Sequence, residues 1–460
     1  MERIVLLGGG PAGIAAAKML GREKPDWDIT MIRPERASMI YCAIPYVVEG
    51  LLPPDKVCKS DSLVTDSGVR LVIDEATRVD FTSREVHTAN QGSFPYDRLL
   101  IATGARPLLP PLKGLEGARK VFPVKTEDDL LAILKAITEK TRKAVVVGAG
   151  NIGIEMAQAF ARRNLETVLI EMAPHVLPAL IDADMAAPVE ARLREIGIDL
   201  RTGLGLSSLE KDDQGIVRFL VLSDGSSIAL NEGEGRSDLI VVSAGVRPNV
   251  EIFEGSRLHI GRTGIVVDST MATNIPGVWA AGDCCEYRSF IDGEVAGGKL
   301  ATNAVPMAKT AARNMMGQTW HYQGFLNGAA TVVAPIRIGG TGFTEELCRR
   351  KGIDVITGRG ETTTRFPIMP DATKVTVKLV FGRDDGRLLG GQVLGGEAVA
   401  ERVDLLTMAI KASSTIEDLM NFDYSSQPWQ TFFPAANAVV LAAEEAWRCK
   451  ASDSEARDTA

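Results

Sequence analysis

The sequence predicts an α/β chain: two β–α–β modules in series, followed by a C-terminal α+β domain. Three observations carry this prediction. A strand, a glycine loop and a helix follow one another at 3–22, and again about 140 residues later at 144–163. The strands of the first half are short, unbroken apolar runs, as in parallel sheets covered on both faces. From about Leu326 the pattern turns to alternating apolar and polar residues.

The first strand, 3-RIVLL-7, leads into 8-GGGPAG-13, a helical stretch to about Arg22 and a strand at 29-ITMI-32. A buried strand follows at 98-RLLIAT-103. The second module runs 144-AVVVG-148, 148-GAGNIG-153, a helix to about Arg163, then 167-TVLIE-171. Two copies indicate two nucleotide-binding modules rather than a solenoid. In the last third, 374-KVTVKLVF-381 and 388-LLGGQVLG-395 flank the turn signal Asp385-Gly386, a hairpin with one buried face. Val399, Val403, Leu406 and Ile410 share one face of a helix. The expected boundaries are 1–115 and 249–325 for the first domain, 116–248 for the second and 326–448 for the third. The tail, 449–460, is polar and small and is expected to fray.

Composition narrows the function. The 460 residues carry 51 basic and 59 acidic side chains, a net charge of −8, which argues against a nucleic-acid-binding surface. No apolar run approaches the ~20 residues that cross a bilayer. The N-terminus MERIVLLGGG runs straight into a strand with no basic leader, so a cytoplasmic location is the expectation. Six cysteines without a C-x-x-C pair, and four scattered histidines, indicate neither a disulfide framework nor a metal site.

G-x-G-x-x-G acquires meaning from its context. Gly8, Gly10 and Gly13 follow a strand and open a helix, as Rossmann-like dinucleotide-binding domains require. The first turns the chain, the second lets the backbone approach a pyrophosphate, and the third lets helix and strand pack closely. Pro11 and Ala12 complete this loop. Gly148, Gly150 and Gly153, with Asn151 and Ile152 between, repeat it. An acidic residue should end the second strand and bind ribose hydroxyls. Glu171 does so in the second module and would repel a 2′-phosphate, which favours NADH over NADPH. In the first module Arg33 stands there, with Glu35 two residues on. Either Glu35 reaches the ribose or that contact is missing, and Arg33 reads equally as a solvated strand-end cation. Two dinucleotide modules imply a held flavin, FAD, and an exchanging nicotinamide.

With the motifs 42-CAIPY-46, 101-IATGARP-107, 245-GVRPN-249, 277-GVWAAGD-283 and 301-ATNAV-305 added, the chain resembles the pyridine nucleotide–disulfide oxidoreductases. The resemblance is to their single-cysteine branch of CoA-disulfide reductases, polysulfide or persulfide reductases, NADH oxidases and peroxidases. It implies a two-segment FAD domain, an NAD domain between the segments, and a C-terminal dimerisation domain that completes the partner's active site in a homodimer. It implies FAD contacts at Thr103, Gly104, Asp283, Ser38 and Ala301. Glu155 would lie near the nicotinamide, Glu171 at its adenosine ribose, and Gly245 in the same set. Departures are Ala43 where the branch carries Gly, Asn151 where many members carry an aromatic, and the absence of His in the first glycine loop, which counts against a peroxidase.

Cys42 is the candidate redox centre. Buried cysteines mostly just pack, but this one follows the second strand by about ten residues. Pro45 suits a first helical turn, which places Cys42 just before a helix N-terminus, where a thiolate is stabilised. No second cysteine lies within five positions. Cys42 must therefore cycle against a mixed disulfide, a persulfide or a sulfenic acid. Tyr424 is the candidate general acid, or an interface tyrosine. The second tyrosine of CoA-disulfide reductases would fall at Phe366, which cannot protonate a leaving thiolate. Lys18 and Arg22 match basic positions of coenzyme A-using relatives, and equally complement the dipole of the first helix. The resulting expectation is NADH-driven reduction of CoA disulfide, CoA persulfide or polysulfide. The alternatives are reduction of oxygen, or of a protein such as rubredoxin.

Overall fold

A computed structural model of the chain describes residues 1–233 and 235–458. They form two compact units, 1–109 with 123–132 and 244–325, and 110–122 with 133–233, 235–243 and 326–458. The second β–α–β module and the C-terminal segment thus share one unit, where the sequence predicts separate domains. No helix among the described residues is long and apolar enough to cross a membrane.

The first unit is built on a five-stranded parallel sheet. Its order is Val278–Ala280, Arg98–Ile101, Arg3–Leu7, Asp28–Arg33, Arg70–Ile73. Arg3–Leu7 is central, and Ile4, Val5, Leu6 and Leu7 are all buried. That explains why these strands lack polar alternation. The helix Pro11–Glu23 buries Ala12, Ile14, Ala16, Ala17 and Leu20, and the helix Ala301–Met315 buries Ala304, Met307, Ala308 and Ala311. The small side chains of both helices let backbones pack closely.

The second unit repeats the pattern with parallel strands Leu239–Val242, Lys143–Val147, Glu166–Glu171 and Ile198–Thr202. Its C-terminal part is a five-stranded antiparallel sheet, Ala329–Val333, Ile336–Gly342, Leu388–Gly395, Lys374–Gly382, Val355–Thr363. The predicted hairpin is present, but Val375 through Phe381 are all buried, not only alternate residues. The expectation of one buried face is corrected: the helix Ala438–Asp458 packs directly on the neighbouring strand. A Cβ on Gly358 or Gly360 would lie 1.9 or 2.0 Å from the Ala442 or Ala438 carbonyl oxygen. That helix continues through the positions at which the sequence predicts a fraying tail to Asp458; 459–460 lie outside the described residues.

A charge cluster ties the module to this sheet. Lys378 is buried, with its Nζ 3.2 Å from Asp182 Oδ2, 2.9 Å from Asp184 Oδ1 and 2.9 Å from Glu345 Oε2. Asp182 in turn accepts from the backbone N–H of Glu346 at 2.9 Å and from Gln392 Nε2. Burial would lower the Lys378 pKa, yet Glu345, Asp184 and Asp182 together raise it.

Candidate functional site

In the first unit the glycine loop follows strand Arg3–Leu7 and opens the helix at Pro11. A Cβ on Gly13 would lie 2.0 Å from the Gly8 carbonyl oxygen, and one on Gly153 1.8 Å from that of Gly148, so both loops close by the same approach. Gly10 and Gly150 have nothing within 4 Å of a Cβ, which leaves each loop open where phosphate would lie.

Gly8 has φ of +122°, and a Cβ there would sit 2.1 Å from the Ala102 carbonyl oxygen. Gly8→Ala therefore combines backbone strain with a clash, a cost of about 3 kcal/mol. The expected result is protein purified without flavin and with a lowered Tm. Full flavin content at wild-type Tm would contradict this role for the loop.

Arg33 is not a solvated cation. It is 1% exposed, because its guanidinium is fully engaged. Nε donates to Glu35 O at 2.9 Å, Nη1 to Ser38 Oγ at 3.1 Å and Nη2 to Arg36 O at 2.8 Å. Nη2 also pairs with Asp61 Oδ1 at 2.6 Å. Ser38 Oγ donates onward to the Gly9 carbonyl. Arg33 thus shapes the 34–38 loop and ties it to the glycine loop, while Glu35 is left exposed at its rim.

The chain then makes a 3-10 turn, Tyr41–Ala43, before the helix Ile44–Glu49, which carries Pro at its start. Cys42 sits in that turn and is exposed, next to the short helix that the sequence predicts. Lys125 joins this turn to the Asp283 motif: its Nζ is 5.6 Å from the Tyr41 ring and 3.3 Å from Asp283 Oδ2. Burial first, then the carboxylates of Glu35 and Asp283, push the Tyr41 phenol up to about 12. Tyr287 OH donates to Asp283 Oδ1 at 3.2 Å. Glu35, Tyr41, Lys125 and Asp283 are therefore neighbours, with Cys42 one residue from Tyr41.

The rest of the predicted set falls around this centre or apart from it. Thr103 Oγ1 donates to Asn249 O at 2.7 Å, and the backbone N–H of Asn249 donates to Gly104 O at 2.9 Å. Gly245 belongs to this unit, with its carbonyl accepting from Leu108 at 2.9 Å. Ala301 is exposed at the start of its helix, whose N-cap, Leu300, offers no side-chain acceptor. Lys18 is exposed on the first helix, and Arg22 pairs there with Glu23 at 2.7 Å. Cys284 and Cys285 are fully buried, as a packing role requires.

In the second unit, Asn151 and Ile152 stand partly exposed at the start of the helix Asn151–Arg162. Glu171 Oε2 accepts from the N–H of Ala149 at 2.7 Å and Oε1 from that of Ala173 at 2.8 Å. Its carboxylate is thereby fixed beside the second glycine loop. Glu155 is buried, and its Oε1 accepts from Thr331 Oγ1 at 2.7 Å. Tyr424 packs against Phe422 and Phe432, with ring centroids 5.5 and 5.8 Å away, and donates to Pro434 O at 2.6 Å. Phe366 meets Phe433 edge-on at 5.4 Å.

Sequence reasoning missed Lys125, which no motif marks, and Asn303, which lies inside a quoted motif. Asn303 Nδ2 is a buried donor without a hydrogen-bond partner among the described residues. At the third residue of an uncapped helix beginning beside the Asp283 motif, it fits a cofactor that brings an acceptor. The open loop at Gly10 and this orphan donor agree with the same group, FAD.

Residues 2–308 match the model of the pyridine nucleotide-disulphide oxidoreductase family, and 329–430 match its dimerisation domain. The chain belongs to the pyridine nucleotide–disulphide oxidoreductases. Members of this family pair FAD with NAD(P)H, and the chain is an oxidoreductase of this kind. It is 34% identical over 442 residues to an NADH oxidase of Methanocaldococcus jannaschii, covering 93% of this chain and 95% of that one. It is 30% identical to an NAD(P)H coenzyme A polysulfide/persulfide reductase of Pyrococcus horikoshii, covering 96% and 98%. Among solved structures, an NAD-dependent persulfide reductase from A. fulgidus superposes with a TM-score of 0.91 at 29% identity. That match covers 98% of this chain and 84% of the other.

Proposed function

We propose that this oxidoreductase uses NADH to reduce a sulfur substrate, CoA disulfide, CoA persulfide or polysulfide, through Cys42. The observation that carries the reading is the exposed Cys42 in a turn joined by Lys125 to the Asp283 motif. Bound FAD supplies a two-electron relay between nicotinamide and sulfur. The residues at 8–13, Arg33, Ser38, Thr103, Gly104, Asp283 and Asn303 would hold it, in a domain built from 1–115 and 249–325. Glu171 presents its fixed carboxylate to ribose hydroxyls and disfavours a 2′-phosphate, so NADH is the donor. The role of Cys42 is nucleophilic: its thiolate attacks the substrate S–S bond and retains one sulfur, while the other departs as a thiol. Tyr424, from the dimerisation domain of a second subunit, is the proposed donor of that proton. Lys18 and Arg22 are the proposed contacts for coenzyme A phosphates, and the cytoplasm is the proposed location.

A second reading is reduction of oxygen, with Cys42 cycling through a sulfenic acid. Phe366 favours it, since its ring offers no proton to a leaving thiolate. Steady-state oxidation of NADH and NADPH against CoA disulfide, polysulfide, oxygen, peroxide and rubredoxin separates these. The expected result is preferred NADH turnover with a sulfur acceptor. Turnover with oxygen alone selects the second reading, and turnover with rubredoxin alone rejects both.

A further inference from the structure

The segment 171–177 is stitched to Ala149 of the second glycine loop at both of its ends. At its start, Glu171 Oε2 accepts from the Ala149 N–H at 2.7 Å, and Glu171 Oε1 from the Ala173 N–H at 2.8 Å. At its end, the Leu177 N–H donates to Ala149 O at 2.9 Å. His175 lies between these anchors and is 4% exposed. Both of its ring nitrogens meet acceptors: Nδ1 is 2.9 Å from Val176 O and Nε2 is 3.1 Å from Glu346 Oε2. A carbonyl oxygen only accepts, so Nδ1 carries hydrogen. Glu346 Oε1 accepts from the Ala183 N–H at 3.0 Å, as a carboxylate does, so Nε2 donates as well. An imidazole that donates from both nitrogens is a cation.

Carboxylates face this ring from two packed helices. Glu346 stands in the first turn of the helix Glu345–Lys351. Glu190, on the helix Ala183–Glu195, accepts from the Val176 N–H at 3.2 Å and pairs with Arg194 at 3.4 Å. Beside Glu346 lie Asp182, Asp184 and Glu345, gathered around Lys378. Burial would lower the His175 pKa, but the Val176 carbonyl, Glu346 and Glu190 outweigh it, and the net shift is upward.

We propose that the His175 imidazolium is a positioning residue for the dinucleotide: its ion pair with Glu346 ties the segment 171–177 to the C-terminal part of the same unit, and its loss loosens the segment that presents Glu171 to ribose. The proposal rests on the reading of the second glycine loop as the NADH site. The charged form carries the tether. The tether is therefore complete below the ordinary histidine value, about 6.5, and is lost as pH rises through the raised folded value.

The test is the affinity of oxidised, FAD-loaded enzyme for NAD⁺, read by titration calorimetry from about pH 6 to 9. NAD⁺ cannot reduce the flavin, so no turnover intervenes. The wild-type Kd is expected to rise about three- to tenfold across this range. His175→Gln keeps a donor without the charge and is expected to bind at the weaker level at every pH. Glu346→Gln removes the carboxylate that favours the cation and should move the rise to lower pH. Being at a partly exposed position, it also keeps the test open if His175→Gln does not fold. Thermal midpoints at pH 7 check the fold of both. A rise of wild-type size in His175→Gln, or an unmoved profile in Glu346→Gln, would overturn the proposal. Glu171→Gln judges the underlying reading: unchanged NAD⁺ affinity removes that reading and the tether's role together. Weakened binding in Glu171→Gln beside a wild-type profile in His175→Gln removes the tether alone.

Discussion

Cys42→Ser is expected to lose turnover with sulfur acceptors by a factor of about a thousand or more, while keeping its fold and its flavin. The reasoning is chemical. A serine hydroxyl is barely ionised at neutral pH and forms no bond to sulfur that thiol exchange can reverse, so the cycle has no carrier. The structural cost is small because Cys42 is exposed and contributes nothing to the core. The turn is held by other groups, among them the Ala43 N–H, which donates to Ile40 O at 3.0 Å. Flavin absorbance per chain and thermal midpoint serve as controls. Sulfur reduction persisting in the variant at full rate would mean that electrons leave by another route.

Lys378→Met is expected to destabilise the second unit by about 3–5 kcal/mol, because removing one partner of a buried ionic cluster strands the others. Asp182 is 2% exposed and would face Asp184 and Glu345 without a cation. The wild type should also show an acid limb that the variant loses in part. Burial alone would raise the Asp182 pKa, but the Glu346 N–H and Lys378 outweigh it, and the net shift is downward. A carboxylate with a depressed folded pKa contributes stability above its unfolded value, about 4. That contribution disappears as pH falls through the folded value. Urea midpoints at pH 7 and at about pH 3, below the unfolded value, read both effects. A variant with the wild-type midpoint at pH 7 would mean that the cluster is energetically neutral.

Much of this was legible from local pattern. Both glycine loops, the parallel strands between them, the C-terminal hairpin and the helix behind it follow from short-range spacing. The Cys42 turn follows from Pro45 and the strand before it. What stayed hidden depends on partners distant along the chain. Arg33 read as a strand-end cation because Asp61 stands 28 positions away. The hydrogen-bond partner of Glu155, Thr331, lies 176 residues on. Lys125 is a lone lysine in an irregular segment, and nothing in its own neighbourhood marks it. The double-sided burial of the hairpin was missed because the helix that covers it belongs to the end of the chain.

The Arg33 guanidinium has one more effect. Its side chain lies against residue 9, where a Cβ would come within 2.5 Å of Arg33 Cδ, and it also fixes Ser38, where the chain resumes toward Cys42. The span from the first glycine loop to the Cys42 turn is thus gauged by a single side chain, like a spacer between two fittings. Adding one residue to the 34–37 loop would change that span while leaving both fittings intact, so the length of this loop, more than its composition, sets how far the Cys42 turn stands from the glycine loop.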